Sequence, residues 1–193
     1  PAVRALGRGE IDKIFYLTAK ASTRREAYSA SSLLFEAGAK LRVAVITAKE
    51  QLCSHQGGMK SEEGRSRCNG DDCPLARGYY DRLPAALLEL LESKNGYSRQ
   101  IITEVARKHG ICPYEFSLDL SEYCDIVICD YNYVFDPVVY LRRYFEPEQV
   151  AQNRYVFLID EAHNLADRAT DMYSAELKLS QTAELWRTLP ETE

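Results

Sequence analysis

Asp160 and Glu161 follow directly on the apolar run "YVFLI" at 155–159, with Ala162 and His163 next in line. A short run of β-branched, aromatic and leucine side chains reads as a strand buried on both faces. Two carboxylates at its end then emerge where open α/β sheets bind ligands. In a nucleoside triphosphatase, a carboxylate so placed holds the magnesium ion bridging the β- and γ-phosphates, and a second orients or polarises the attacking water. A core strand that merely ends in a polar turn gives the same run, so the acids need company to be read as chemistry.

Cysteine is the second chemical signal. Six occur, at 53, 68, 73, 112, 124 and 129, and the first four are spaced C-x14-C-x4-C-x38-C. Nothing marks the chain for secretion, so four clustered thiols read as metal ligands before disulfides, with unconnected thiols and redox pairs as the other readings. The spacing lacks the C-x2-C knuckle of common zinc sites. Cys124 and Cys129 differ: in "CDIVICD" they alternate with isoleucine and valine, as small buried hydrophobes do.

The elements that must position these groups alternate along the chain. "KIFYLTA" (13–19) reads as a buried strand, "STRREAYSASSLLFEAG" (22–38) as a helix capped by Ser22 and stopped by Gly38, and "LRVAVITA" (41–48) as a second strand. Strand, helix, strand implies parallel pairing through a crossover. The rhythm breaks from about 50 to 112 and resumes with "CDIVICDYNYVFDP" (124–137) and the run before Asp160. The middle segment therefore reads as an insertion into an α/β sheet. It holds two plausible helices, 83–93 with Pro84 near its first turn and 97–110 between Ser98 and Gly110. Neither offers a large core, so a thiolate-bound staple is expected there.

Composition sets the outer bounds. With 193 residues, 46% of them hydrophobic, the chain can bury one good core and a small satellite. It has no stretch resembling a membrane span or a secretory leader. The net charge of −5 hides an asymmetry: residues 1–49 carry 9 basic and 4 acidic side chains, residues 113–193 carry 6 and 16. The basic end is where a phosphate backbone could lie. Pro1 in place of Met suggests a segment of a longer chain.

Together, "KIFYLTAKAS", "QLCSH", "CPYEFS", "DIVICDYNYVFDP" and "VFLIDEAHN" resemble, in this order, the iron–sulfur DNA helicases of the XPD/DinG group of superfamily 2, with the bacterial relatives nearest in character. The resemblance runs from residue 13 to about 175. It implies a partial RecA-like, P-loop-type parallel sheet with helices on both faces: motor domain 1 over 1–49 and 113–175, an iron–sulfur insertion over 50–112, and the start of an arch-type insertion over 176–193. It assigns Asp160 to magnesium, Glu161 to water activation and His163 to coupling nucleotide state to the neighbouring motor lobe. It makes Cys53, Cys68, Cys73 and Cys112 the ligands of a 4Fe–4S cluster, for which thiolates suit. Lys49, four residues before Cys53, would offset the cluster's negative charge.

Thr18, Lys20 and Ser22 in "YLTAKAS" match a stretch that meets phosphates of single-stranded DNA, and Tyr131 and Tyr133 would stack on bases. The resemblance implies an ATP-dependent, 5′-to-3′ helicase acting on single-stranded and forked DNA in DNA repair, a monomer in the cytoplasm at the bacterial nucleoid, using ATP and magnesium. The chain departs from the family in having no G-x-x-x-x-G-K-S/T and no Gly-Lys pair at all. The phosphate-cradling loop is expected just before residue 1, and the fragment alone is expected to be inactive. A metal-bearing nucleic-acid binding module, or a redox sensor, is the alternative.

Overall fold

Lys13–Thr18 (β1), Val43–Val45 (β2), Gly96–Tyr97 (β3), Ile126–Asp130 (β4) and Tyr155–Ile159 (β5) pair into one sheet in a computed structural model that describes residues 1–53, 68–175 and 179. The order is β3-β2-β4-β1-β5 and every pairing is parallel, with Phe15 opposite Val127 on one side and Phe157 on the other. Parallel strands need crossovers, and helices supply them: Ala21–Glu36 (α2) between β1 and β2, Lys49–Leu52 (α3) and Tyr79–Ser93 (α4) before β3, and Arg99–His109 (α5) and Pro113–Glu122 (α6) before β4. Short helices Asn132–Phe135 (α7), Arg142–Phe145 (α8) and Pro147–Gln152 (α9) lead to β5, and Leu165–Met172 (α10) follows it; Ala2–Gly7 (α1) precedes β1.

Period-two alternation divides the core between the two faces. Ile14, Val43, Val45, Ile126 and Ile128 point to the side covered by α1 and α2. Phe15, Leu17, Val127 and Cys129 point to the other, where Tyr144 and Leu141 join them. Phe15 holds that side together, with its ring 5.1 Å from Tyr144, 5.0 Å from Phe145 and 5.4 Å from Tyr155. Cys124 and Cys129 are buried, as their alternation predicts.

Several expectations are revised. The helix at 22–38 starts at Ala21 with Lys20 as its N-cap and no side-chain cap bond, so Ser22 lies inside the first turn. Gly38 does turn left-handed at φ +86. The strand at 41–48 shrinks to three residues. Pro84 is inside α4, which begins at Tyr79. Ser98 and Gly110 bound α5 as expected: Ile101 N–H donates to the Ser98 hydroxyl, and Gly110 is left-handed. The run 155–159 is an edge strand with Phe157 and Leu158 partly exposed, because among the described residues nothing pairs with its outer side.

The largest revision concerns the middle segment. Gly96–Tyr97 joins the sheet beside β2, and Tyr97 is buried with Leu90 and Ala86 of α4, Ile102 and Ala106 of α5, and Phe116 and Leu120 of α6. The helices thought too poor in apolar surface to bury a core therefore build one with each other and with the sheet. Gly96 makes the approach possible: a Cβ there would lie 2.7 Å from the Tyr28 hydroxyl and 2.9 Å from Phe35 of α2. Residues 54–67 lie outside the described residues, as does the expected arch start at 176–193 apart from Leu179.

Lys13 is the buried cation of this core. Its ammonium donates to the carbonyl oxygens of Ser121 (2.9 Å), Glu122 (3.3 Å) and Cys124, closing the carboxyl end of α6. Burial pulls its pKa down, with the charges at Cys124, Asp125 and Glu122 opposing. Lys13→Met keeps the stem but leaves those carbonyls without their donor. The expected loss is about 2–4 kcal/mol of unfolding free energy, read from urea unfolding at unchanged m-value.

Candidate functional site

In a parallel sheet all strand ends of one kind gather on one edge, so Thr18, Asp130 and Asp160 share the carboxyl side with the start of α2. Asp160 extends the ladder by one bond, its N–H donating to Leu17 O at 2.9 Å. Its carbonyl accepts from the Tyr131 hydroxyl. On the other side Tyr16 feels it: burial raises the Tyr16 pKa, and the charges of Asp160 and Glu26 add to the rise. Glu161 then turns left-handed at φ +50, the one such non-glycine among the described residues. A left-handed glutamate is sterically costly, and here it swings the carboxylate out to solvent. The turn is fastened by Asn164, whose N–H and side-chain amide both donate to Glu161 O. His163 Nδ1 sits 3.2 Å from Glu161 Oε2, both side chains well exposed. Asp160, Glu161 and His163 are thus brought together at one strand end.

Asp130 ends β4 by the same logic, and the sequence reading missed it. Its carboxylate lies 3.5 Å from Arg24 of α2 and 3.0 Å from Arg168 of α10, and accepts the Asn132 N–H at 3.1 Å. Arg168 also donates to Asn132 Oδ1 at 2.8 Å. The helix after the acidic pair is thereby tied to the helix that opens with Lys20 and Ser22. An acid at a strand's carboxyl end was the available signal, the one that singled out Asp160; its two arginine partners lie too far off in sequence to be seen.

The cysteines partly converge. Cys68, Cys73 and Cys112 line one cavity of about 270 Å3 with Lys49, Tyr79 and Glu115. Cys53, the fourth, ends α3, its N–H donating to Lys49 O at 2.8 Å. Among the described residues no three candidate ligands stand at metal-binding geometry. Burial opposes the charge of Lys49, but its hydrogen bond to Cys68 and the nearby acidic groups leave its pKa raised. Burial also raises the thiol of Cys112. Behind the cavity the Tyr79 hydroxyl donates to Asp119 at 2.6 Å, and Asp119 pairs with Arg143 at 2.9 Å.

The candidate DNA contacts divide. Lys20 and Ser22 are exposed at the start of α2. Thr18 is fully buried, its hydroxyl donating to Cys129 O at 3.3 Å, so its side chain is not open to a phosphate. Tyr131 and Tyr133 belong to the core of the sheet, at 0% and 7% exposure, and offer no free ring face for a base. Their spacing put them on the buried side of the turn after β4.

The DEAD_2 family matches residues 20–182. The chain belongs to that family. Within it the five parallel strands and their helices form part of a RecA-like α/β motor domain. Among the similar proteins are three described as regulator of telomere elongation helicase 1 or its homolog. The one from Caenorhabditis briggsae is 26% identical over 150 residues, 74% of this chain and 15% of that protein. The one from Oryza sativa is 28% identical over 142 residues, 70% and 13%. The one from Bos taurus is 25% identical over 171 residues, 87% and 13%. The chain thus spans about one seventh of the relatives it matches. These animal and plant proteins support the helicase family and not the bacterial placement expected from the motifs. Among the described residues no helix is long and apolar enough to cross a membrane.

Proposed function

We propose that this chain is part of the first motor domain of an ATP-dependent DNA helicase that moves 5′ to 3′ on single-stranded DNA and opens forks, with a 4Fe–4S cluster in its middle segment. One observation carries the reading: an acidic pair at the carboxyl end of a parallel strand, its second member forced left-handed into the open, in a chain of a helicase family. A carboxylate at a strand's carboxyl end would supply magnesium with one oxygen ligand and leave the rest to nucleotide oxygens and water, as motor proteins do. In this reading Asp160 holds that ion, Glu161 orients the attacking water, and His163 relays the state of the site. The three cysteines on one cavity, with Lys49 against Cys68 and Cys53 ending the short helix that begins at Lys49, supply the donors a thiolate cluster takes. Bound there, the cluster would hold the loop-rich part of the segment to the sheet. A role in DNA repair, residence in the bacterial cytoplasm and the monomeric state are carried by the motif resemblance.

Polarity is tested with the protein that carries this chain together with its phosphate-binding loop, on duplexes bearing a single-stranded tail at one end. Unwinding is expected with 5′ tails and ATP and absent with 3′ tails. Unwinding from 3′ tails alone would reverse the direction, and none from either would remove the helicase reading.

A further inference from the structure

Asp130, Tyr131 and Asn132, at the end of β4, each hold a different part of the acidic turn. The Tyr131 hydroxyl donates to Asp160 O, just before the turn. Asn132 Oδ1 accepts from Arg168 Nη2 of α10 at 2.8 Å, just after it. Asp130 Oδ1 accepts from the same nitrogen at 3.0 Å, while its Oδ2 lies 3.5 Å from Arg24 Nη2 of α2. The left-handed Glu161 sits between the two points so fixed, and a non-glycine backbone of that kind persists only where its surroundings over-determine it. The bonds from Asn164 close the turn on itself; those from Tyr131 and Arg168 tie it to the sheet.

The Asp130 pairs differ from a permanent clamp. A guanidinium anchored for good presents its fork, two nitrogens to one carboxylate. Arg24 and Arg168 each reach Asp130 through one terminal nitrogen, and the Nε of both is buried with no hydrogen-bond partner among the described residues. Two cations thus share one carboxylate, and neither has another ion pair among the described residues. Both line a hollow of about 410 Å3 whose wall also carries the acids Glu50 and Asp136, so each guanidinium has room and a second charge to move toward. The two arginines come from different parts of the site: α10 leaves the acidic turn, and α2 opens with the exposed Lys20 and Ser22.

We propose that Asp130 is a positioning residue: through Arg168 it holds Glu161 in place for hydrolysis, and through Arg24 it makes that placement depend on where α2 stands. The inference rests on the reading of Glu161 as the group that orients the attacking water. A misplacement of about 1 Å at a reacting group costs on the order of 10²-fold in rate, so a tether at the next helix is enough to set turnover. Arg168 makes both of its bonds with a single nitrogen, so a lysine ammonium can replace it, whereas glutamine is shorter and uncharged.

The test uses the protein that carries this chain with its complete nucleotide site. Arg168→Gln and Asp130→Asn are each expected to lower kcat about tenfold while nucleotide affinity stays within about twofold of the parent, and Arg168→Lys to restore the rate. Arg24→Gln is expected to cut the ratio of rates with and without single-stranded DNA about fivefold. Melting temperature and nucleotide affinity falling together, with no rescue by lysine, would make Asp130 mere scaffold and overturn the proposal. A parental rate in Arg168→Gln, or an unchanged DNA ratio in Arg24→Gln, overturns it as well. In the 193-residue chain, where turnover plays no part, Arg168→Gln should speed hydrogen exchange of the Asn164 amide about tenfold and leave the β1–β4 ladder unchanged. Unchanged exchange at Asn164 overturns the hold on the turn itself. A parent whose turnover ignores Glu161→Gln fails the reading beneath, and the exchange result then still decides whether Asp130 holds the turn.

Discussion

In the protein that carries this chain with a complete nucleotide site, Glu161→Gln is expected to abolish DNA-stimulated ATP hydrolysis while nucleotide still binds. Glutamine keeps the size and the left-handed turn, whose bonds run through the Glu161 carbonyl and Asn164 and not through the carboxylate. What it removes is the group that, in the proposed reading, orients or deprotonates water, an effect on the order of 10³-fold in turnover. That corresponds to about 4 kcal/mol of barrier. Asp160→Asn should instead weaken the magnesium-dependent affinity for nucleotide, because Asp160 is the acid at the end of the ladder. The measurement is steady-state hydrolysis with and without single-stranded DNA, beside equilibrium binding of a fluorescent nucleotide. A Glu161→Gln protein that turns over at more than a tenth of the parent rate would take the catalytic role away from this residue.

Cys112→Ser is expected to remove the cluster and leave the fold. Anaerobically prepared protein should carry about four irons and four sulfides per chain, and the serine variant little of either. Cys112 shares its cavity with Cys68 and Cys73, whereas Cys129 is fully buried in the core of the sheet, so Cys129→Ser should keep its iron. Judged by sequence, losing the cluster would unfold the whole middle segment. The core that α4 and α5 share with α6 and Tyr97 predicts otherwise: hydrogen exchange should show both helices still protected, with new exchange confined to the cysteine-bearing stretch after residue 68. Stoichiometric zinc without iron would replace the cluster with a simple metal site. Loss of protection across α4 and α5 would restore the view that metal holds them.

Much of the fold was legible because strand burial leaves a local trace. The alternation of Ile14, Phe15 and Leu17, and of Ile126, Val127 and Cys129, sorts the two faces, and Ser98 and Gly110 mark α5 by cap chemistry alone. The acidic pair was legible for the same reason: a strand's end is a local event. Beyond reach were features set by partners far away in sequence. Gly96–Tyr97 is too short to show a period, and only its parallel place beside β2 makes it a strand. Tyr131, Tyr133 and Thr18 carry polar groups fit for DNA, yet the turn after β4 and the ladder of β1 bury them. The run before Asp160 looks buried on both faces but is an edge, since apolar content records what a strand could pack against and not what stands beside it. Asp130 with Arg24 and Arg168 joins residues from different crossovers. The sequence by itself determined the longer strand runs, the caps of α5 and the acidic pair at a strand's end, because each depends on neighbours within a turn or two. The tertiary structure decided which side chains face solvent and which charges meet, because a parallel sheet brings distant strand ends to one edge.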